Sequence, residues 1–385
     1  MARYLFSSHD GYGLGHIRRN TLIAAAVLEA DPEAEVTLVT GVSKRPAWLR
    51  HPRLTVVEVP SLLKDSDGSY RNPGMAFEEA IARRAIRFDA LVADLQPEVI
   101  VIDRHPYGIA GELRAGVNRA RAHGAAVVLG LRDILDEPAR INAEINGQGW
   151  ADVDTLFTDL LVYGDPVLCD HEREYGVPLR PRYTGWVTES VEPLPLDQRM
   201  LVVAAGGGGD GEPTFRMGVE LLRRRPDYCG ALVAGPYATA WRADQELTSP
   251  GLFERLSIIN DAPSCAPLFA GAGAVLQMAG YNSTFEALAA GSKPILMPRR
   301  SPRREQAIRS WRLAAFGLAD VVDEGADAEE VVWLLDRPRR LDPMALTRVG
   351  IRLDGARRTA SHLRSLAAER VARGVQALSP VPATL

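Results

Sequence analysis

Short, nearly continuous apolar runs alternate along this chain with segments whose apolar residues recur every three to four positions. In the first half the runs lie at 4–8, 36–40, 54–59, 99–102, 126–129 and 160–163. Several are rich in Val and Ile, as parallel strands covered on both faces are. Between them the spacing predicts helices over 17–30, 76–95 and 109–123. This is a β-α rhythm, the pattern of an α/β domain with a parallel sheet.

The rhythm breaks at 185–197, where two prolines and no clear period predict a linker. It then restarts. Strands are expected at 200–205, 231–234, 256–259, 274–277, 294–297 and 319–322, with helices over 213–225, 283–290 and 303–316. The expectation is an α/β chain of two Rossmann-like parallel-sheet domains facing a central cleft. An N-terminal domain would span 1–185, a linker 186–197, and a C-terminal domain 198–385. Ala356, Ala360, Leu363, Ala367, Val371, Val375 and Leu378 form one stripe, which predicts a C-terminal amphipathic helix within the second domain. Its Arg-rich face reads as solvated. No repeat of 20–50 residues is present, which excludes a solenoid.

Composition narrows the function classes. The chain has 385 residues, 46% of them hydrophobic, and a formal charge of -4. That balance argues against a non-specific nucleic-acid binder. Three widely spaced cysteines, Cys169, Cys229 and Cys265, fit neither a disulfide framework nor a zinc cluster; they suit a reducing, cytoplasmic location. No apolar stretch of about eighteen residues exists, so no transmembrane helix is expected. Peripheral membrane contact stays open.

The chemistry concentrates at strand ends. The first turn, Ser8-His-Asp-Gly-Tyr-Gly-Leu-Gly-His-Ile-Arg-Arg19, lies between a strand and a helix. Its glycines allow close backbone approach to a ligand, and a helix start attracts anions. The dinucleotide fingerprint fails, because His16 occupies the third glycine position. The acid expected after the second strand is also missing, since that strand ends Thr40-Gly41. A nicotinamide dehydrogenase is therefore disfavoured. His16 reads as a general base at the ligand crevice, or as a helix-start residue bonding backbone; His9 is a weaker candidate. Asp103 ends a buried run and either orients an imidazole or caps a loop. Arg132 and Asp133 stand at another strand end with the same ambiguity. The second half opens with Gly206-Gly-Gly-Gly209 after a buried run, either a phosphate loop or a flexible turn. It is no Walker loop, because no Gly-Lys-Ser/Thr follows. The segment Met278-Ala-Gly-Tyr-Asn-Ser-Thr-Phe-Glu286 places a glycine turn, hydroxyls and an acid at a helix start. No Asp-x-Asp stands at a convincing strand-end site, since Asp65-Ser-Asp67 and Asp152-Val-Asp154 lie in polar segments. No metal is expected.

The second half resembles the donor domain of GT-B-fold glycosyltransferases, family 28 in particular. That family includes the N-acetylglucosaminyl transferase of peptidoglycan synthesis and the plant galactolipid synthases. The resemblance covers the two-domain layout and both glycine loops, and is sharpest over 280–306. There the family shows Gly, small polar residues, Glu, a small-residue helix, Gly-Pro, a Pro loop and Gln. The first turn, Gly13-Leu-Gly-His-Ile-Arg18, is similar to the Gly-Gly-His loop of the same enzymes and closer still to the Gly-x-Gly-His-x-x-Arg start of predicted glycosyltransferases. The chain departs from the family in its longer glycine loop, without the usual serine, and its more basic Pro loop.

The resemblance implies a metal-independent, inverting transfer of a sugar from a nucleoside diphosphate donor, UDP- or dTDP-linked, to an acceptor hydroxyl, with no cofactor. Glu286 would bind the donor ribose. Ser283 and Thr284, with Gly207, Gly208 and Gly209, would hold the diphosphate. Gln306 would touch the sugar, and Asn260 would lie beside the base. Gly280 and Asn282 complete the donor-binding set. His16 would be the base, helped by Asp103. Gly13, Gly15, Arg18, Arg132 and Asp133 are the acceptor-binding candidates, for a small-molecule or lipid-linked acceptor. Two rival expectations are an epimerase or hydrolase on the same fold, and a binding protein without turnover. Arg299, Arg300, Arg303, Arg304, Arg309 and Arg312 face a single acid, Glu305, along a helix expected to bury Ile308, Trp311 and Ala315. They form either a solvated face or an electropositive lip beside the donor diphosphate or an anionic acceptor.

Overall fold

The computed structural model describes residues 1–9, 14–42, 51–64, 69–189, 195–206, 211–235, 251–260, 262 and 264–378. Strands β1 (Arg3–Ser7), β2 (Glu35–Thr40) and β3 (Leu54–Glu58) are followed by a short antiparallel pair, β4 (Leu63–Lys64) and β5 (Tyr70–Arg71). Then come β6 (Val99–Asp103), β7 (Ala126–Arg132), β8 (Asp159–Tyr163) and β9 (Pro181–Tyr183). Helices α1 (Gly15–Ala30), α2 (Phe77–Leu95) and α3 (Arg114–Ala122) fill the early crossovers; α4 (Pro138–Ile145), α5 (Val153–Leu156) and α6 (His171–Tyr175) fill the later ones. The first sheet is wholly parallel, in the order β3-β2-β1-β6-β7-β8-β9.

The second half repeats the plan. Its strands are β10 (Asp197–Ala204), β11 (Cys229–Ala234), β12 (Leu256–Asn260), β13 (Ala272–Gln277), β14 (Ile295–Leu296) and β15 (Asp320–Val321). They form a parallel sheet in the order β12-β11-β10-β13-β14-β15. Its helices are α7 (Glu212–Arg224), α8 (Ala266–Gly271), α9 (Tyr281–Ala289), α10 (Glu305–Ala315), α11 (Ala328–Val331), α12 (Ala345–Val349) and α13 (Gly355–Leu378). In each sheet the first strand lies inside, with chain order reversing on either side of it. That reversal opens a crevice beyond the strand C-termini, between β1 and β6 and between β10 and β13.

Most expected elements form, and the departures have local causes. The third helix begins at Arg114, not 109, because Gly108 and Gly111 adopt φ of +85° and +83°, which stops the helix running through them. The expected linker does not start free. Trp186 is fully buried and stacks on Phe285 with ring centroids 4.4 Å apart. Val187 bridges Asp354, and Trp186 exchanges backbone hydrogen bonds with Arg352 and Gly355. Two crossings of the chain are thereby pressed together. A Cβ on Gly355 would lie 2.3 Å from the Gly185 carbonyl oxygen, so only glycine fits.

The terminal helix sits in the opposite half from the one expected. α13 packs against α1 and reaches β6 and β7, burying Ala360, Leu363, Leu366 and Ala367 in the N-terminal core. Its apolar stripe is legible as far as Ala367, whereas Val371 is 51% exposed and the side chains of Val375 and Leu378 lie outside the described residues; the sheet it covers is not legible, because periodicity says nothing about where a helix docks. The N-terminal core also takes in Tyr281, Phe285 and Leu313 from the second half, so apolar packing is continuous across the two.

Candidate active site

The site starts at the first crevice. β1 ends at Ser7, and α1 begins at Gly15, one residue before His16. β6 ends at Asp103 beside it. Arg104, the next residue, takes φ +73°, a conformation unfavourable for a side-chain-bearing residue, and its N–H donates to the Gly130 carbonyl. The Asp103 carboxylate is buried and lies 2.7 Å from His16 Nδ1 through Oδ2. Asp103 Oδ1 accepts from Arg19 Nη2 at 2.7 Å, and Oδ2 also accepts from Asn20 Nδ2 at 3.2 Å. A carboxylate so placed makes Nδ1 the protonated nitrogen. Arg19 Nη2, 3.0 Å from Nδ1, is then a neighbour of the ring and not its donor. The other nitrogen, Nε2, is left as a base, and the His16 side chain keeps 23% of its surface exposed.

The electrostatics suit that role. Burial pulls the His16 ring below its ordinary pKa; Asp103 opposes this and Arg19 adds to it. The imidazole is therefore neutral near pH 7. Burial pushes the Asp103 carboxyl up, but Arg19 and His16 outweigh it and hold the group well below the usual carboxylate range. Arg19 is itself enclosed, with its guanidinium 5.1 Å from the Tyr163 ring and 5.2 Å from the Tyr281 ring. Gly130 makes room for this pair: a Cβ there would lie 2.3 Å from the Tyr163 hydroxyl. His9 stands edge-on to His16 and to His105, with centroids 5.2 and 4.6 Å away. Burial and then His105 and His16 keep its pKa far below the ordinary value, so His9 stays uncharged.

The second half meets this site through α9. Gly280 precedes the helix in an extended conformation, and the first-turn amides of α9 have no carbonyl partner within the helix. Asn282 Nδ2 donates to the Gly15 carbonyl at 3.0 Å, so the two helix starts face each other. Ser283 is half-buried, while Thr284 is fully buried and its hydroxyl has no partner among the described residues. Glu286 is buried and accepts from Arg18 Nε at 3.0 Å; Arg18 Nη2 lies 2.9 Å from Glu189. Burial raises the Glu286 pKa against the opposing pull of Arg18. The residue expected on the donor and one expected on the acceptor thus hold each other. Gln306 Oε1 accepts from the Arg299 amide at 3.3 Å and pins the Pro loop. Asn260 is exposed at the end of β12. Gly13, Gly207, Gly208 and Gly209 lie outside the described residues, as do Asp65 and Asp67.

Asp133 requires a correction. It lines no open surface. Its Oδ1 accepts from Arg309 Nη2 at 2.7 Å and Ile134 N at 2.8 Å; its Oδ2 accepts from Arg309 Nε at 2.8 Å and Trp186 Nε1 at 3.2 Å. Both partners are buried, and Arg309 Nη1 donates to the Ala279 carbonyl at 2.7 Å. This pair locks the halves together. It also explains why α10 turns a different face inward than expected. Arg309, Ser310 and Leu313 are buried, whereas Trp311 is 53% exposed and Ala315 is exposed.

Arg132, by contrast, stays at the crevice with its side chain 17% exposed. Arg19, Asn20 and Tyr163 have no role in the sequence reading, and Arg309 enters it only as one of six arginines of the Pro loop and α10. The first two follow His16 by three and four positions on a helix, a spacing that puts them on one face. Gln277, at the end of β13, carries no sequence signal of a role; both of its amide atoms are buried without a hydrogen-bond partner among the described residues. Among the described residues no group of three or more His, Cys, Asp or Glu is placed to hold a metal ion, and no helix is long and apolar enough to cross a membrane.

No family model and no curated protein matches the chain by sequence. Solved structures do match in fold. MurG from Acinetobacter baumannii superposes with a TM-score of 0.60 at 14% identity, over 94% of this chain and 99% of that one. A Medicago truncatula glycosyltransferase, UGT71G1, in complex with UDP-glucose gives 0.61 at 12% identity, over 96% and 98%. CalG4, the calicheamicin glycosyltransferase, gives 0.57 at 15% identity, over 99% and 100%. The chain has the GT-B glycosyltransferase fold, with its two parallel-sheet α/β domains.

Proposed function

We propose that the protein is a glycosyltransferase that moves a sugar from a nucleoside diphosphate donor to an acceptor hydroxyl. The observation that carries this reading is the Asp103–His16 pair at the crevice of the first sheet, set opposite the first turn of α9. Structures of the same fold in complex with UDP-glucose or UDP support the choice of donor class.

In this mechanism the acceptor hydroxyl lies against His16 Nε2. As its oxygen bonds to the anomeric carbon, its proton passes to Nε2, and the bond from that carbon to the diphosphate oxygen breaks. The electron pair leaves with the nucleoside diphosphate, and attack from the opposite face inverts the anomeric centre. Asp103 does not touch the acceptor. It fixes the tautomer and stabilises the imidazolium that forms. The α9 amides receive the charge developing on the leaving phosphate, preorganised donors that do the work without a metal. Glu286, released from Arg18, binds the donor ribose.

Release of nucleoside diphosphate from a panel of UDP- and dTDP-sugars, with and without mixed acceptor hydroxyls, tests the reading. Acceptor-dependent release is expected. Donor binding with no turnover for any acceptor would leave a binding protein, and acceptor-independent release would indicate a hydrolase.

A further inference from the structure

The arginines of the Pro loop and α10 do not form the free face suggested by their sequence. Arg299 pairs with Glu305 at 3.2 Å, Arg300 with Asp323, Arg304 with Glu137 at 2.6 Å, Arg309 with Asp133 and Arg312 with Glu174 at 2.6 Å. Arg303 is the exception: it is half-buried and, among the described residues, has no hydrogen bond or ion pair. Its neighbours on the chain are tied to the first half. Arg304 N donates to Asp136 at 2.9 Å, and Arg140 donates to the Pro302 carbonyl at 3.1 Å.

Arg104 and Arg132 lie close enough to it to interact electrostatically. Arg104 is fully engaged, with two bonds of 2.7 Å to Glu144. Arg132 is not. Nη2 reaches the Leu135 carbonyl at 3.2 Å and approaches Glu305 only to 3.8 Å, and Nε is buried with no acceptor among the described residues. Among the described residues, the guanidinium groups of Arg104, Arg132 and Arg303 stand near Glu144 and Glu305, the latter also paired with Arg299, and Asp136 lies close to Arg303. Their mutual repulsion is felt. Burial and the surrounding arginines pull Arg132 down to about 10; burial and Arg104 lower Arg303. Arg132 in turn acts on the His16 ring, so the excess charge borders the reacting centre. A buried guanidinium nitrogen without an acceptor is costly unless a ligand supplies one.

We propose that Arg132 and Arg303 bind an anionic oxygen group of a substrate, a phosphate or a carboxylate, that is separate from the donor diphosphate. This rests on the glycosyltransferase reading and narrows it to reactions in which the acceptor or the transferred sugar is acidic. A planar guanidinium pair suits both groups. The diphosphate is assigned elsewhere, at the start of α9.

Calorimetric titration of inorganic phosphate into UDP-saturated protein tests the assignment. Phosphate should bind alongside UDP, and Arg303→Gln should weaken it at least tenfold. Arg304→Gln, which removes an exposed pair, should leave it unchanged. Arg132→Gln gives a second variant from the opposite half. Phosphate that competes with UDP, or binding indifferent to both Arg303→Gln and Arg132→Gln, overturns the proposal. UDP-glucuronate against UDP-glucose separates the sources. A preference for the glucuronate that is lost in Arg303→Gln puts the anion on the sugar. Equal donor affinity, with phosphate still bound to the UDP-glucose complex, puts it on the acceptor. If UDP itself fails to bind, the glycosyltransferase reading falls, while phosphate binding to the free protein still reports on the arginine site.

Discussion

Replacing Arg309 with methionine removes the cation from the most enclosed ion pair between the two halves among the described residues. Asp133 would lose the bonds of 2.8 and 2.7 Å from Arg309 and keep only those from Trp186 Nε1 and Ile134 N. The Ala279 carbonyl would lose its donor as well. Removing one partner of a buried pair costs about 3–5 kcal/mol, because a desolvated charge is left behind. Spread over a domain of this size, that is a fall of about 6–20 °C in Tm. Arg304→Met is the internal control. It also breaks a pair between the halves, with Glu137, but both side chains are about half exposed, so the loss should be about 0–1 kcal/mol.

The pH dependence sharpens this test. In the native protein burial pushes the Asp133 carboxyl up, but Arg309 more than compensates and holds its pKa below the ordinary value. The stability this contributes is present above the unfolded pKa, near 3.9, and is lost as pH falls through the lower folded value. Without Arg309, burial dominates and the folded pKa rises above the unfolded one. The penalty of Arg309→Met is then full at pH 7 and shrinks towards pH 4. Urea melts of both variants at pH 7 and pH 4.5 measure it. A loss under about 1 kcal/mol at pH 7, or one independent of pH, would refute the view that this pair carries the interface.

Other consequences are testable with simpler assays. His16→Ala should lower kcat by about 10²–10⁴-fold, the usual contribution of a general base, with UDP affinity little changed; near-normal kcat at every pH would move the base elsewhere. Asp103→Asn should reduce kcat less. It should also shift the acid limb of the pH profile downward, since Asp103 raises the His16 pKa that burial lowers; an unmoved limb would mean that Asp103 does not act through the ring. Activity should survive EDTA, and a rate that collapses and returns with magnesium or manganese would contradict a phosphate site built from protein groups alone.

How far the sequence could be read depends on the kind of contact. Strands β1, β6, β7 and β8 were visible because both faces are covered, which leaves unbroken apolar runs. The pair β4–β5 and strand β9 are too short to show a period. His16 and Asp103 were recognisable because they sit where strand C-termini meet a crevice, and the structure brings them to 2.7 Å. Asp133 stood at an equivalent strand end and looked the same, but its surroundings are set by Arg309, 176 residues away. Local pattern carries no information about such a partner. The same limit explains Arg309 itself, which looked solvent-facing among six arginines. It explains α13 too, whose stripe was plain while its docking against α1 was not. Arg18 and Glu286 show the converse case. The sequence pattern points each towards a ligand, and in the free protein each satisfies the other at 3.0 Å.

The central claim is that the second half binds a nucleoside diphosphate through Glu286 while the first half holds the base. Calorimetry of UDP against the native protein, Glu286→Ala and His16→Ala tests it directly. Loss of hydrogen bonds to a charged group should weaken UDP binding by about 1–3 kcal/mol in Glu286→Ala, while His16→Ala should bind as the native protein does. Unchanged affinity in Glu286→Ala, with the fold intact by circular dichroism, would contradict a donor site built on Glu286.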